Sequence, residues 1–417
     1  MQGKKIKNGA LESALDTFLA EKEYLVMGFE KDASNVYHRV FKDRLDNYAL
    51  MSPVFAMNGA LYLRRLFAKG AQIILMLRPC EIRSYVELVK LTQIEPENII
   101  AVSVDCFGTV SSKKEGDIPA GEELKGLTKD AEKARWACAN CRERRGVVGD
   151  AGIRVDANGD YWAFPYTDKG QAFFSLLEGE AAEAPAQMAI GPAEPRPAFQ
   201  IDMKEFAKDF SKCIMCMNCR DMCPVCYCVD CVFNGDEYLP KGDALFNKVF
   251  RAGSTGMPRG KELFHLIRMY HVSQTCVGCG ACEEACPQGI PLTKYFKGVS
   301  EQVAQNFEAR GAKAFAPTYA EGASRVQFQN KDPRGWETFK SHLAEHSAVG
   351  SSHTLRQYQA VRPSLYDYGK ELAALRVPTL FVVGDEDEPC LDVNLYLKRT
   401  MPSAQLWVMP ASGHAVN

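Results

Sequence analysis

The strongest constraint on this chain is a spacing that occurs twice. Cys213-Ile-Met-Cys216-Met-Asn-Cys219-Arg-Asp-Met-Cys223-Pro and Cys276-Val-Gly-Cys279-Gly-Ala-Cys282-Glu-Glu-Ala-Cys286-Pro share the pattern C-x2-C-x2-C-x3-C-P. Three thiolates so closely spaced can wrap three corners of an iron–sulfur cubane. Zinc usually takes paired C-x2-C knuckles, not a triple run repeated with proline. The pattern therefore predicts two 4Fe–4S clusters, with a zinc scaffold as the alternative that metal analysis would decide.

In two-cluster ferredoxins the fourth cysteine of each run serves the other cluster. That rule groups Cys213, Cys216, Cys219 and Cys286 on one cluster, and Cys276, Cys279, Cys282 and Cys223 on the other. The prolines after Cys223 and Cys286 turn the chain away. The small Gly278, Gly280 and Ala281 leave room for backbone N–H groups to approach sulfide. This block is expected to be a dicluster ferredoxin-like domain over residues 201–307.

The chain has 16 cysteines, and 15 of them fall between Cys80 and Cys286. Clustered thiols in a chain of 417 residues with no secretory signal after Met1 point to metal rather than disulfides. Cys226, Cys228 and Cys231 lie in the long stretch between the two runs. They are either further ligands or buried spectators. Upstream, Cys80 and Cys106 each follow an apolar run that reads as a strand, and Cys138 and Cys141 form a C-x2-C pair. Ligands gather at the carboxyl ends of strands in α/β sheets. These four thiols are the candidates for a third 4Fe–4S cluster, with buried unreactive cysteine as the alternative.

Those strands are Gln72-Ile-Ile-Leu-Met-Leu and Asn98-Ile-Ile-Ala-Val-Ser-Val, with a helix expected from Glu81 to Leu91 between them and another over 53–70. Alternation of this kind predicts an α/β domain with a parallel sheet over residues 1–177. Residues 178–200 are rich in Ala, Glu and Pro and read as a linker. The formal net charge of -2 gives no basic footprint for nucleic acid. No apolar stretch approaches the ~18–20 residues of a membrane span. A cytoplasmic location is expected.

Residues from about 10 to 307 resemble the beta-subunit family of coenzyme F-420 hydrogenases and dehydrogenases, whose members include iron–sulfur flavoprotein subunits of formate dehydrogenases and heterodisulfide-reductase-linked complexes. The resemblance is carried by Arg78-Pro-Cys-Glu-Ile-Arg, Asp105-Cys-Phe-Gly-Thr, the Cys138/Cys141 pair, the Cys213–Cys231 stretch with its Cys-Pro-Val-Cys-Tyr-Cys, and the second run closing on Gly289-Ile-Pro-Leu-Thr. It implies a bound FAD in a flavoprotein-like α/β domain, redox partner subunits, and a diffusible hydride carrier, either deazaflavin or nicotinamide. No G-x-G-x-x-G occurs, so a Rossmann site is not supported. Asn58, Gly59 and Arg78 are named as flavin-lining candidates, with Arg78 equally suited to a structural salt bridge.

Residues 308–417 resemble part of an α/β-hydrolase, through Arg325-Val-Gln-Phe-Gln-Asn-Lys-Asp-Pro-Arg-Gly-Trp, Arg362-Pro-Ser-Leu-Tyr-Asp, Val377-Pro-Thr-Leu-Phe-Val-Val-Gly-Asp-Glu-Asp-Glu-Pro and Ser412-Gly-His414. Asp387 matches the acid position and His414 the base. No G-x-S-x-G is present, and the sheet half that carries the nucleophile is missing. An acid–base pair without a nucleophile cannot run acyl transfer. This segment is read as an inert remnant. The expected function is thus an oxidoreductase electron-transfer subunit, with a flavin-free polyferredoxin-like wire and a hydrolase as the competing readings.

Overall fold

The computed structural model describes residues 2–414 except 8, 23, 33–34, 67–71, 114–116, 131, 186, 192–201, 229–230, 235–241, 255–259, 273–274, 322–325 and 354–364. It divides into two compact units. One comprises residues 1–197 and 201–298, and the other 198–200 and 299–417.

The first unit is built on a mixed sheet. Its strands are β1 (Gln2–Ile6), β2 (Leu25–Lys31), β3 (Val36–Phe41), β4 (Tyr48–Ala49), then β6 (Ile73–Leu77), β7 (Ile99–Val104), β9 (Ala151–Val155), β10 (Tyr161–Pro165) and β11 (Gly179–Glu183). Two short strands, β5 (Val54–Phe55) and β8 (Val110–Ser111), pair separately in parallel. The main order is β11-β1-β10-β9-β7-β6-β2-β3, with β4 on β2. Only the centre, β9-β7-β6-β2, is parallel, and the flanks are antiparallel. The expected parallel sheet is therefore mixed. The buried apolar runs that announce a parallel strand belong to the two central strands alone.

Both faces of that centre are covered, which is why β6 reads as an unbroken apolar run rather than an alternating one. Ile74 and Met76 join Leu15, Phe18, Val102, Ile153 and Phe173 on one face. Ile73, Leu75 and Leu77 join Leu63, Ile82, Leu88 and Ile99 on the other.

The sequence expectation of one helix over 53–70 is corrected. Val54–Phe55 is a strand, and the helix runs Ala60–Leu66, with 67–71 outside the described residues. Ser52 Oγ bonds the Val36 and Val54 carbonyls, holding the entry extended. Asn58 Oδ1 then accepts from the Ala60 amide at 3.0 Å and starts the helix there. The linker expected over 178–200 also differs. Gly179–Glu183 is an edge strand zipped to β1, because a ladder of backbone hydrogen bonds does not require apolar side chains. Residues 192–200 of that linker lie outside the described residues.

In the second unit, β12 (Thr379–Gly384) and β13 (Ala404–Met409) pair in parallel, joined by the helix Glu388–Thr400. Leu397 of that helix and Met401 just beyond it pack with Ala404 and Phe381. Arg325 and Arg362, which opened two of the hydrolase-like motifs, lie outside the described residues. Among the described residues no helix is long and apolar enough to cross a membrane.

Candidate iron–sulfur centres

The two cysteine runs adopt the same backbone path. Met215 and Met217 in the first run have φ of 52° and 63°, and Gly278 and Gly280 at the matching places in the second have 72° and 74°. Each run then enters a one-turn helix, Asn218–Asp221 or Ala281–Ala285. The left-handed turns let the loop fold over its own thiols. The Met215 amide donates to Cys213 Sγ at 3.3 Å, and the Ala281 amide donates to Cys279.

Cys213, Cys216, Cys219 and Cys286 line one cavity together with Phe264, His265 and Pro287. Cys286 comes from the second run, so three thiols of one motif meet the fourth of the other. Cys223 faces Cys276, Cys279 and Cys282. Burial pushes the thiols up, Cys219 to about 11 and Cys223 and Cys282 further still. A buried thiol keeps its proton until a metal takes its place, so binding at these sites is coupled to proton release.

The helix Lys261–Val272 supplies two groups to the first set. His265 Nε2 lies 3.2 Å from Cys213 Sγ, and Arg268 Nη1 donates to Cys219 Sγ at 2.9 Å. Burial, and then Arg268, push His265 down to about 3, so the ring is neutral. Its Nδ1 is buried without a partner. That fits a bare Nδ1 and an Nε2–H aimed at sulfur.

The four upstream thiols also converge. Cys80, Cys106, Cys138 and Cys141 line one cavity with Phe55, Arg78, Thr109, Arg135 and Cys279. Cys80 and Cys106 stand just beyond the carboxyl ends of β6 and β7, which run side by side in parallel. Burial raises Cys106 to about 12 and Cys80 well above its ordinary range. Thr109 Oγ1 lies 3.0 Å from Cys138 Sγ. Arg135 bonds the carbonyls of Cys279 and Gly280 at 3.2 and 2.7 Å, and its Nε sits 3.3 Å from Glu284 Oε2.

A further cavity borders this one. It is lined by Phe29, Leu50, Met51, Ser52, Pro53, Arg78, Asp105, Cys106, Phe107 and Gly108. Arg78 lines both, held by the carbonyls of Ser52 and Val54 and by Glu81, its guanidinium over the Phe29 ring at 4.6 Å. Asn58 and Gly59 are not on this lining. Asn58 is buried, its Nδ2 donating to Ser84 Oγ, and its side chain reaches the Cys279 thiol. The Gly59 amide donates to Glu81 Oε1 at 2.9 Å. Burial alone would raise Glu81, but Arg78 and then His38 outweigh it and hold it down to about 2.

Cys226 and Cys231 are half-buried and Cys228 is exposed. In the second unit, Asp387 Oδ2 lies 2.9 Å from His414 Nδ1, and Cys390 Sγ lies 3.7 Å from that nitrogen. These three are the one trio of possible ligand atoms within 4.8 Å of one another among the described residues. Tetrahedral zinc would draw its thiolates to about 3.8 Å, given bonds of about 2.3 Å. Among the described residues, no three thiols of the first unit lie within 4.8 Å of one another.

A family model for a 4Fe-4S dicluster domain matches residues 209–290. The chain is 24% identical over 270 residues to the F420-dependent formate dehydrogenase subunit beta of Methanocaldococcus jannaschii, covering 52% of this chain and 68% of that protein. It is 24% identical over 320 residues to the F420-dependent formate dehydrogenase 1 subunit beta of Methanococcus maripaludis, covering 63% and 78%. These beta subunits are what the chain is similar to over those stretches, in line with the resemblance that the cysteine motifs carry. With the dicluster-domain match, this similarity makes the chain an oxidoreductase electron-transfer subunit with iron–sulfur clusters. Two solved structures are similar over shorter stretches. MenH from S. aureus is 17% identical, covering 28% of this chain and 44% of that one, with a TM-score of 0.25. Est816, described as an N-acyl homoserine lactone degrading enzyme, is 23% identical, covering 28% and 47%, with a TM-score of 0.21. The chain thus spans less than half of either structure.

Sequence reasoning missed four residues around these centres: Arg135, His265, Arg268 and Glu284. Glu284 lies within the second run and Arg135 three residues before Cys138, but their pairing with each other, and the approach of His265 and Arg268 to the first run, arise only in the folded chain.

Proposed function

We propose that this chain is an iron–sulfur flavoprotein subunit working in the cytoplasm. In this reading it passes electrons between a hydride carrier, deazaflavin or nicotinamide, and redox partner subunits of the formate dehydrogenase type. The F420 and formate dehydrogenase terms come from the relatives to which the chain is similar. The observation that carries the reading is a chain of shared walls. Arg78, Cys106 and Gly108 belong to both the apolar cavity and the four-cysteine cavity, and Cys279 belongs to both the four-cysteine cavity and the second ferredoxin set.

The apolar cavity, about 290 Å³, is the place offered for the ring of a bound FAD, the rest of which would have to lie outside it. It opens at the carboxyl ends of parallel strands and is mostly apolar, with few polar groups. When bound, a flavin supplies the exchange between two-electron hydride chemistry and one-electron cluster chemistry. The chain's own residues do the rest. Phe29, Phe107 and Leu124 exclude water, while Arg78, fixed by Glu81, offers positive charge at the shared wall. Cys80, Cys106, Cys138 and Cys141 would hold a third cluster, and the two ferredoxin sets would carry single electrons onward. The Asp387–His414 pair takes no part.

The test is to quantify iron, acid-labile sulfide, zinc and released flavin on anaerobically purified protein. About twelve iron with one FAD per chain supports the reading. About eight iron without flavin leaves only a flavin-free wire. Zinc in place of iron and sulfide defeats both.

A further inference from the structure

The helix Lys261–Val272 lies in the stretch between the two cysteine runs, and Arg268 is its most buried charged residue, 1% exposed. Nη1 donates to Cys219 Sγ at 2.9 Å and Nη2 to the Cys219 carbonyl at 3.0 Å. The side chain also reaches Cys226. Phe264 and Phe296 stand beside the guanidinium at 5.7 and 5.0 Å, closing it from water. Among the described residues no carboxylate pairs with it. The groups that act on its charge are thiols, first Cys219, then Cys223, Cys282 and Cys226.

A buried cation without a counter-charge is costly. A cubane held by four thiolates is an anion, so the missing charge is supplied once clusters are in place. The thiols facing Arg268 come from both sets: Cys219 from the first, Cys223 and Cys282 from the second. One guanidinium, hydrogen-bonded to a ligand of the first set, is therefore within electrostatic reach of both. His265, three residues earlier on the same helix, places its Nε2 3.2 Å from Cys213 Sγ of the first set.

We infer that Arg268 is the shared counter-charge of the two ferredoxin-type clusters, raising the reduction potential of both. Reduction adds negative charge beside a fixed cation in a dry site, and the cation favours it. Arg268 is a positioning residue that acts through the cluster ligands. The inference rests on the two-cluster reading above, and its test separates the two.

The test uses the full chain, purified anaerobically, with Arg268→Gln and Arg268→Lys. Iron and sulfide are assayed first, then both cluster midpoints by redox titration followed by electron paramagnetic resonance. A wild-type chain without iron and sulfide defeats the cluster reading itself. With wild-type iron retained, Arg268→Gln should move both midpoints negative. Arg268→Lys should restore most of the shift, since it keeps the charge and loses the fork. Unchanged midpoints, a shift in one cluster only, or equal shifts in both variants would overturn the inference. Should Arg268→Gln fail to load iron, wild-type protein labelled with 15N-arginine decides. Reduced clusters should show 15N coupling from the guanidinium, and its absence would overturn the assignment.

Discussion

Arg135 and Glu284 form a buried ion pair that joins the sheet part of the first unit to the second cysteine run, and the pair allows a quantitative test. The Nε–Oε2 separation is 3.3 Å, and both side chains are under 10% exposed. At an effective dielectric of about 20, two charges at that distance attract by about 5 kcal/mol, before desolvation is charged against it. Removing one partner of such a pair costs about 3–5 kcal/mol, because the other charge is stranded. Ser111 and Ser112 also donate to Glu284, which places Arg135→Met near the lower end. Arg135→Met, Glu284→Gln and the double variant form a cycle. Arg135 also loses its bonds to Cys279 and Gly280 and its stack on Phe55, but those losses occur with or without Glu284 and cancel. Amide hydrogen exchange of the 276–286 peptide under anaerobic native conditions reads the opening directly. Arg135→Met should speed exchange about 10²- to 10³-fold. The double variant should fall short of the product of the singles by about 1–3 kcal/mol. Exchange effects that simply multiply, with coupling under about 0.5 kcal/mol, would refute the reasoning.

Four other outcomes are expected. Cys286→Ala should abolish the same paramagnetic signal as Cys213→Ala, and Cys223→Ala the same one as Cys276→Ala; loss that follows the motifs instead would sink the crossed ligand sets. Replacing Cys138 and Cys141 together by alanine should lower iron from about twelve to about eight per chain, and unchanged iron would remove the third cluster. Gly280→Ala should be worse than Gly278→Ala in iron retention. Both pay the left-handed strain of about 1–2 kcal/mol, but only at Gly280 would a Cβ come within 2.5 Å of Arg135 Nη2 and 2.6 Å of Ala137 Cβ. Burial, and then Asp387, raise Cys390 to about 11, so the thiol stays protonated at neutral pH. At pH 8 about a thousandth is thiolate, against about a quarter for an ordinary cysteine. Its alkylation, followed by peptide mass spectrometry, should climb about tenfold per pH unit from 8 towards 10; a rate already level at pH 9 would contradict the burial argument.

Much of this protein was legible from spacing alone, for a local reason. A C-x2-C-x2-C run fixes which thiols can reach one cubane with little help from the rest of the chain, and the positive φ at Met215 and Met217 shows that the turns form even where glycine is missing. The buried runs at Ile73–Leu77 and Ile99–Val104 were equally legible, because strands covered on both faces leave no polar positions. The expected 53–70 helix was misread because Val54–Phe55 is drawn into a pairing with Val110–Ser111, more than fifty residues away. The strand at Gly179–Glu183 was hidden by its Ala- and Glu-rich composition, since an edge strand earns its place through backbone bonds to β1.

By itself the sequence pointed to the chemical class of the centres: thiolate ligands in two repeated runs, with the fourth cysteines expected to cross. Tertiary structure alone decided what surrounds them. It brought Cys80, Cys106, Cys138 and Cys141 to one cavity, turned Asn58 towards Cys279, and set Arg135 and Arg268 beside the clusters' ligands. The physical reason is range. Ligand spacing is a property of a dozen consecutive residues, whereas a buried charge acts on whatever the fold places next to it, and no local pattern records that neighbour.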